Sequence, residues 1–341
     1  MKAYKGFKNN MTCRGFQYEE GKEYHEERAL CCDTGFHACE YPLDCFKYYE
    51  PADSVYHEVE QTGDIDKSEG DSKVASTEIK IGAKIGIPGL VQAAIEYTSK
   101  RCEKKAENHN TGYRGASSNT GDRGASSNTG DWGASSNTGY RGASSNTGDW
   151  GASSNTGYWG ASSNTGNCGA SSNTGNCGAS SNTGNCGASS NTGNCGASSN
   201  TGNCGASSNT GNCGASSNTG NCGASSNTGN CGASSNTGNW GASSNTGYRG
   251  ASSNTGNCGA SFSTGEESTS YAGCVNSVAA ALGLNAKAKG VKGAYIICAE
   301  FETDNDGNYR IKGIQLHQVD GEKIKEETYY QLIDGVMTEV D

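Results

Sequence analysis

The sequence predicts a mainly β protein: a β-solenoid of nine-residue repeats, two per coil, between a small α/β N-terminal domain and a β-hairpin C-terminal cap. Seventeen near-identical units follow one another from Asn110 to Phe262. The chain has 52 Gly but only 3 Pro, unlike a proline-rich linker, and the glycine period is not that of collagen. Apolar residues make up 32%, too few for one large core. We therefore divide the chain into residues 1–109, 110–262 and 263–341.

Alternating residues predict two strands in the N-terminal domain. Residues Ser54 to Glu60 alternate as a half-buried strand does, and residues Thr77 to Ile85 do so more clearly. Pro88 suits the first turn of a helix that we expect to run to about Lys105. This helix carries an apolar stripe that packs on the domain or caps the first coil of the array: Leu90, Val91, Ala94, Ile95 and Thr98.

The repeat unit, Asn-Thr-Gly-x-x-Gly-Ala-Ser-Ser, divides into a strand and a corner. Ala-Ser-Ser-Asn-Thr is long enough for a short strand, and the glycines of Gly-x-x-Gly are able to take positive φ angles. Cys, Trp and Arg share the second x position, so we expect the corner pair to point outward. We expect the face of Ala116, Ser118 and Thr120 to line the inside.

Two units give an 18-residue coil, and coils stacked about 4.8 Å apart make the array a rod of roughly 40 Å. Stacking satisfies the backbone polar groups. Two alternatives stay open: a disordered Gly/Ser-rich linker, because Ala is a weak hydrophobic driving force, and an intertwined trimer with the same period.

The C-terminal segment begins as a continuation of the repeats. Residues Asn276 to Gly283 predict a closing coil with Val278, Ala280 and Leu282 on one face. Residues Gly293 to Phe301 predict a strand. Three hairpin turns are expected between further strands, at Asp306-Gly307, Asp320-Gly321 and Asp334-Gly335.

The first hundred residues resemble an uncharacterised domain family of bacterial and phage proteins. The resemblance rests on Tyr4-Lys5-Gly6-Phe7, Cys13-Arg14-Gly15-Phe16, Gly35 to Pro42, Tyr56 to Glu60 and Lys73 to Thr77. Members of that family are joined to Ala/Ser/Thr/Gly repeats and a short β cap. The resemblance implies a bacterial or phage origin and carries no known activity.

Residues Asn276 to Gly290 resemble the head repeats of trimeric autotransporter adhesins, which implies a β-roll here. The likeness covers about fifteen residues, so it does not imply adhesion. Nine-residue glycine-rich repeats are also similar to the calcium-binding repeats of secreted toxins. Calcium needs several oxygen ligands, and three Asp in seventeen units exclude that interpretation.

Eight thiols spaced nine residues apart are predicted to form two ladders of four on opposite edges of the rod. Three hypotheses stay open: soft-metal binding, oxidative cross-linking between rods, and exposed thiols spread by duplication without a role. The weak metal candidates are Cys168, Cys177, Cys186, Cys195, Cys204, Cys213, Cys222 and Cys231. We expect no cofactor.

Aromatic and arginine side chains at the corners are residue types that dominate binding surfaces. They predict a multivalent surface for a protein or glycan, or else stacking along the rod edge. The residues are Tyr113, Arg114, Trp132, Tyr140, Arg141, Trp150, Tyr158, Trp159, Trp240, Tyr248 and Arg249.

The N-terminal domain contains a cluster of Cys31, Cys32, His37, Cys39 and Cys45, whose spacing fits buried cysteines better than a zinc module. His37 and His57 are candidate acid–base residues. No P-loop, dinucleotide fingerprint, nucleophile elbow or zinc-protease motif occurs, so we expect no enzyme. An activity hidden in residues 1–109 is the alternative.

Net charge is −10, and the array itself is nearly neutral with four Arg and three Asp. This balance excludes nucleic acid and anionic membranes as electrostatic partners. Neither a signal peptide nor a membrane span is recognisable, which predicts cytoplasmic synthesis, with a phage particle or release by lysis as later locations. The expected function is a structural scaffold, spacer or fibre segment. A multivalent binder and a self-associating rod are the other hypotheses.

Overall fold

The computed structural model describes residues 1–68, 72–101 and 107–341. Strands account for 53% of the chain and helix for 7%, which confirms the mainly β class. A β-solenoid of about 11 turns lies between an N-terminal α/β region and a C-terminal β-hairpin. Within the described ranges no helix is long and apolar enough to cross a membrane.

The N-terminal region forms a curled antiparallel sheet in the order β4-β7-β5-β1-β6, and β6 also pairs with β7, so the strands close on themselves. A separate two-stranded sheet joins β2 to β3. The strands are β1 (Lys2–Lys8), β2 (Thr12–Cys13), β3 (Phe16–Gln17), β4 (Glu23–His25), β5 (Phe36–Cys39), β6 (Ser54–Lys67) and β7 (Lys73–Ile85). Two 3-10 helices, Pro42–Lys47 and Pro51–Asp53, separate β5 from β6.

Both strands predicted in this region are present, inside the longer β6 and β7. Ile79 and Ile81 are buried as the alternation predicts, in a core with Phe7, Val59 and Val74. Ala83, placed on the same face by the pattern, is exposed, and it lies at a register shift between β6 and β7, where Val59 pairs with Ile81 but His57 pairs with Lys84.

Helix α1 spans Ile87–Arg101 and begins one residue before Pro88. The predicted end near Lys105 lies outside the described residues. Leu90, Val91, Ala94 and Thr98 are buried. The stripe does not cap the first coil: α1 lies along the flank of the array.

The array confirms two units per coil. Consecutive units alternate between two parallel sheets, and each strand pairs in register with the strand 18 residues later, as Ala188 does with Ala206. The strands are β8 (Glu107–Asn110), β9 (Ala116–Asn119), β10 (Ala125–Asn128), β11 (Ala134–Asn137), β12 (Ala143–Thr147), β13 (Ala152–Thr156), β14 (Ala161–Thr165), β15 (Cys168–Thr174), β16 (Ala179–Thr183), β17 (Cys186–Thr192), β18 (Ala197–Thr201), β19 (Cys204–Thr210), β20 (Ala215–Thr219), β21 (Cys222–Thr228), β22 (Ala233–Asn236), β23 (Ala242–Asn245), β24 (Ala251–Asn254) and β25 (Ala260–Ser263).

The predicted inner face is wrong. The first Ser and the Asn of each unit point inward, as Ser198 and Asn200 do, whereas the Ala, second Ser and Thr point outward. The reason is hydrogen bonding. The amide nitrogen of Asn200 donates to the carbonyls of Gly187 (2.5 Å) and Ala206 (3.4 Å), so Asn closes the corners from inside. The Ser198 hydroxyl donates across the core to the Ser208 carbonyl (3.0 Å).

The repeat glycines are needed for close approach rather than for positive φ, which none of them adopts. A Cβ on Gly184 would lie 1.7 Å from the carbonyl oxygen of Gly166 in the preceding coil. A Cβ on Gly187 would lie 2.3 Å from the Asn182 side chain in the core. One glycine therefore lets the coils stack, and the other makes room for the inward Asn.

The C-terminal segment extends both sheets and then closes them with antiparallel strands. In the stacking direction the inward positions change from Ser261 and Ser263 to Ala279 and Ala281, and then to Ile296 and Cys298, so the polar core becomes apolar. The strands are β26 (Thr269–Ala272), β27 (Val278–Ala281), β28 (Lys287–Gly290), β29 (Tyr295–Thr303), β30 (Tyr309–Gln318), β31 (Tyr329–Ile333) and β32 (Val336–Val340).

Here too the predicted face is displaced by one residue: Ala279 and Ala281 point inward instead of Val278 and Leu282. The strand predicted from Gly293 to Phe301 is β29. Asp306-Gly307 and Asp334-Gly335 join hairpin strands as expected. Asp320-Gly321 does not, because the Asp320 carboxylate accepts three backbone N–H groups and folds the following residues into a turn.

Candidate functional site

The two sheets place the corner residues in two columns on opposite edges of the rod. We call Cys168, Cys186, Cys204 and Cys222 the exposed ladder, because three of its four side chains are open to solvent. These four residues pair in register along β15, β17, β19 and β21. We call the opposite column the covered ladder: Cys177, Cys195, Cys213 and Cys231.

The covered ladder faces the N-terminal region, which packs along the flank of the array. Buried side chains of α1, Leu90, Val91 and Ala94, join one apolar cluster with the outward alanines Ala179, Ala197 and Ala215. The same alanine position on the other sheet is exposed, for example at Ala188, Ala206 and Ala224. The same repeat sequence therefore forms one face that packs against the N-terminal region and another face that is exposed to solvent.

The corner side chains of Trp159, Cys177 and Cys195 point out of the coil, but they are buried because the N-terminal region covers them. The Trp159 ring stacks on Tyr41 with ring centroids 5.6 Å apart, and the Tyr41 hydroxyl donates to the carbonyl of Cys177 (3.0 Å). The Arg141 guanidinium lies 4.4 Å from the centroid of the Trp159 ring. Corner residues of the same types on the opposite edge, such as Trp150, Cys186 and Cys204, are exposed.

A buried carboxylate, Asp44, organises this interface. It accepts a hydrogen bond from the Ser72 hydroxyl (2.6 Å), forms an ion pair with Lys47 (2.7 Å), and receives the Cys177 thiol (3.6 Å). Burial opposes the charge of Lys47, but the hydrogen bond to Asp44 raises the pKa of this ammonium above its usual value. The carboxylate is thus both paired and hydrogen bonded, as a buried charge requires.

Three thiols of the covered ladder have shifted pKa values, and they do not all shift in one direction: the hydrogen bond with Cys195 lowers the pKa of Cys213. Hydrogen bonds with the thiols of Cys177 and Cys213, together with burial, raise the pKa of Cys195. Burial and the neighbouring Glu50 raise the pKa of Cys231 to about 12. A thiol with a raised pKa is a poor nucleophile and a poor metal ligand at neutral pH.

All cysteines in the described ranges are free thiols. No group of three or more His, Cys, Asp or Glu side chains in those ranges is arranged to hold a metal ion. In the N-terminal cluster, His37 accepts the backbone N–H of Cys32 (2.9 Å) and Cys45 donates its thiol to the Tyr4 carbonyl (3.1 Å). Cys39 and Cys45 are buried as the spacing predicts, whereas Cys31 is half-buried and Cys32 is exposed, so the predicted burial is wrong for these two.

The exposed corner aromatics stack along the rod edges. Trp132 lies on Trp150 and Tyr140 on Tyr158, each pair with ring centroids 5.2 Å apart and nearly parallel planes. Tyr113, Trp240 and Tyr248 are exposed, and none of them stacks on a second aromatic ring within the described ranges. Arg114 lies beside Tyr113 and Trp132 (5.5 and 5.9 Å), and Arg249 forms an ion pair with Glu267 (2.6 Å).

The N-terminal region also contains a cavity of about 620 Å³ that sequence reasoning missed. His37 lines it, and burial and the nearby Lys5 lower the pKa of its imidazole. His57, the other candidate acid–base residue, lies outside the cavity lining and is buried against the Gly82 carbonyl (2.9 Å). The cavity residues are spread from Tyr4 to Lys73, so no local motif marks them. One residue did indicate the cavity in the sequence: Lys5 is a cation within the otherwise uncharged strand segment Tyr4 to Phe7.

Residues 1–93 match the family model of a domain of unknown function, DUF7666. This confirms the uncharacterised N-terminal domain that the sequence resemblance indicates. No curated protein and no solved structure matches the chain.

Proposed function

We propose that this protein is a structural scaffold in which a β-solenoid rod holds the N-terminal region at a fixed distance from the C-terminal cap. The observation that carries the proposal is the unbroken in-register pairing of the array, from β8 to the cap, in both sheets. The hydrogen bonds of the buried Ser and Asn side chains, together with the close contact of glycines between coils, give the repeat units the same geometry. Units that are interchangeable in this way suit a length-setting element better than an active site.

The packing of the N-terminal region on the array makes the spacer hypothesis more specific. The contacts between the N-terminal region and the array extend from β12 to β24. Helix α1 contacts β12, and residues Pro51–Asp53 contact β24. The N-terminal region therefore lies beside the rod instead of extending it. Coils added beyond β24 would move the cap away from the docked region, so the number of C-terminal units sets their separation. Use as a fibre segment in a phage particle rests on the family resemblance and belongs to the same proposal.

An insertion tests the scaffold. Eight additional units between Ser253 and Asn254 add four coils, so the maximum dimension measured by X-ray scattering should grow by about 19 Å. An inserted flexible linker would instead broaden the distance distribution without a defined increase. The proposal fails if the added units behave as flexible chain or if the insertion releases the N-terminal region from the rod.

A second function, multivalent binding of a glycan, is favoured by the exposed stacked pair Trp132 and Trp150. Flat aromatic surfaces repeated along a rod suit a repetitive ligand. Affinity electrophoresis in soluble glucans and xylans should retard the protein, and the double variant Trp132→Ala, Trp150→Ala should migrate freely. Equal migration of the two proteins in every polysaccharide would contradict this function.

A further inference from the structure

We propose that the cavity of the N-terminal region binds a small organic anion with a planar ring, and that the Lys5 ammonium is its anchoring charge. The proposal concerns residues 1–73 and is independent of the scaffold function. At about 620 Å³ the cavity is within the usual range for small-molecule sites.

Lys5 is a buried cation without a counter-ion among the residues that the structure describes. Its side chain lines the cavity, and the residue is only 5% exposed. The ammonium donates to the carbonyl of His37 (2.6 Å) and lies 5.5 and 5.6 Å from the ring centroids of Phe7 and Tyr18. Throughout the described part of the chain no carboxylate forms an ion pair with it. An ammonium has three donors, and with the His37 carbonyl and the Cys13 thiol as partners it retains one donor for a ligand.

The surroundings of Lys5 explain why an anion would be stabilised. The ionisable groups that act on Lys5 are the thiols of Cys13, Cys45 and Cys39, and Cys13 is also a hydrogen-bond partner of the ammonium. Burial lowers the pKa of Lys5, which is the cost of holding the charge away from water without a partner. A bound carboxylate or phosphate would supply that partner and favour the charged form.

The rest of the cavity lining is also electropositive. Lys8, Arg14 and Lys73 line it together with Lys5, against the acidic side chains of Glu26 and Asp33. Excess positive charge in a concave site concentrates anions there. This balance is opposite in sign to that of the whole chain, whose net charge is −10.

Aromatic side chains supply a surface for a planar group. Phe16, Tyr18 and Tyr24 meet edge to face, with ring centroids 4.8 to 5.5 Å apart, and all three line the cavity. Arg14 and Cys32 in the same lining have positive φ angles of 48° and 75°. Strained backbone of this kind concentrates at ligand sites, where it fixes the orientation of side chains.

Calorimetric titration of the full reduced chain tests the proposal. The probes are two ring-bearing anions, indole-3-carboxylate and adenosine monophosphate, which distinguish a carboxylate from a phosphate head group. Neutral indole-3-carboxamide and ring-free acetate are the control ligands. At least one ring-bearing anion should bind at least about tenfold more tightly than both controls, a difference expected for one charge-assisted contact. Absence of binding by both anions at millimolar concentration would overturn the proposal.

Two variants locate the site. Lys5→Met should weaken binding at least about tenfold and should not lower the unfolding temperature of the free protein, because it removes an unpaired buried charge. Lys2→Met, on the same strand but exposed and paired with Glu58, should bind as the parent does. Unchanged affinity in Lys5→Met overturns the assignment. If that variant does not fold, exposed Arg14→Gln decides instead: weaker binding supports the site, and unchanged binding contradicts it.

Discussion

Asn200 is buried with its amide donating to two carbonyls, while its Oδ1 has no hydrogen-bond partner among the described residues. The same arrangement recurs at other inward Asn positions, for example Asn182 and Asn218. In these middle coils the donors, not the acceptor, therefore hold the corner, whereas toward the ends of the array the Oδ1 of Asn137 and of Asn245 also accepts the backbone N–H of the glycine two residues later. This is why an amide is required in a core that offers little apolar area.

Replacing Asn200 by Asp should destabilise the rod by about 3–5 kcal/mol at neutral pH, because it removes both donors and buries a charge without a partner. The matched control is Asn203→Asp, at an exposed corner of the same unit, with a change below about 0.5 kcal/mol. Chemical denaturation of the two variants measures the difference.

The pH dependence of Asn200→Asp gives a second check. Burial should raise the pKa of the new carboxyl in the folded state, so the folded form retains its proton more strongly than the unfolded chain. The deficit should then shrink as pH falls toward about 4. A deficit that stays constant from pH 7 to 4 would contradict burial of this position.

Gly184 tests the stacking contact. Gly184→Ala would place a methyl group 1.7 Å from the Gly166 carbonyl, so the two coils must separate, at a cost of about 3 kcal/mol or more. Asn185→Ala, the adjacent exposed corner position, should lose less than about 0.5 kcal/mol. Equal thermal unfolding of the two variants would show that the coils are not in this contact.

At the scale of elements, the Trp159 ring is one of the large contacts between the N-terminal region and the array. Trp159 is 8% exposed and stacked on Tyr41, whereas Trp240, at the equivalent corner position on the opposite edge, is 68% exposed. Trp159→Ala should cost about 3–5 kcal/mol and release α1 from the flank, and Trp240→Ala should cost little. Alkylation of Cys195, which is protected by docking, reports the release. Equal alkylation rates in the two variants would argue against docking.

The two thiol ladders should react very differently in the native protein. Cys186, Cys204 and Cys222 are exposed and should be alkylated first. Cys231, with a pKa of about 12, has a thiolate fraction of about 10⁻⁴ at pH 8, and its rate should rise about tenfold per pH unit up to that value. Peptide mapping after timed alkylation gives the order. Equal labelling of both ladders at pH 8 would mean that the N-terminal region does not cover the edge of the rod that carries the covered ladder.

At the scale of the whole molecule, periodicity made the rod predictable. A strict nine-residue period fixes the coil, the alternation of two sheets and the two columns of corner residues. It does not fix which strand face is inside, because Ala-Ser-Ser-Asn-Thr presents small residues on both faces. The inward choice follows from hydrogen bonds of Ser198 and Asn200 to carbonyls that only the folded coil brings close.

Docking and the cavity were beyond sequence reasoning for a related reason. Because the units are near-identical, the sequence does not indicate that Cys177 and Cys195 are buried while Cys186 and Cys204 are exposed. The difference arises because the N-terminal region packs on only one edge of the rod. The cavity joins Lys5 to residues as distant as Lys73, and each is unremarkable locally. Spatial neighbours without a shared pattern become visible in the fold alone.

Amide hydrogen exchange across the intact, reduced protein tests the stacked solenoid most directly. The account predicts slow exchange in the strands between residues 110 and 262, with the strongest protection in the middle coils β15 to β21, whose odd-numbered strands are 7 residues long. Exchange at random-coil rates throughout this range would contradict the account, because no stack of hydrogen-bonded coils would then exist in solution.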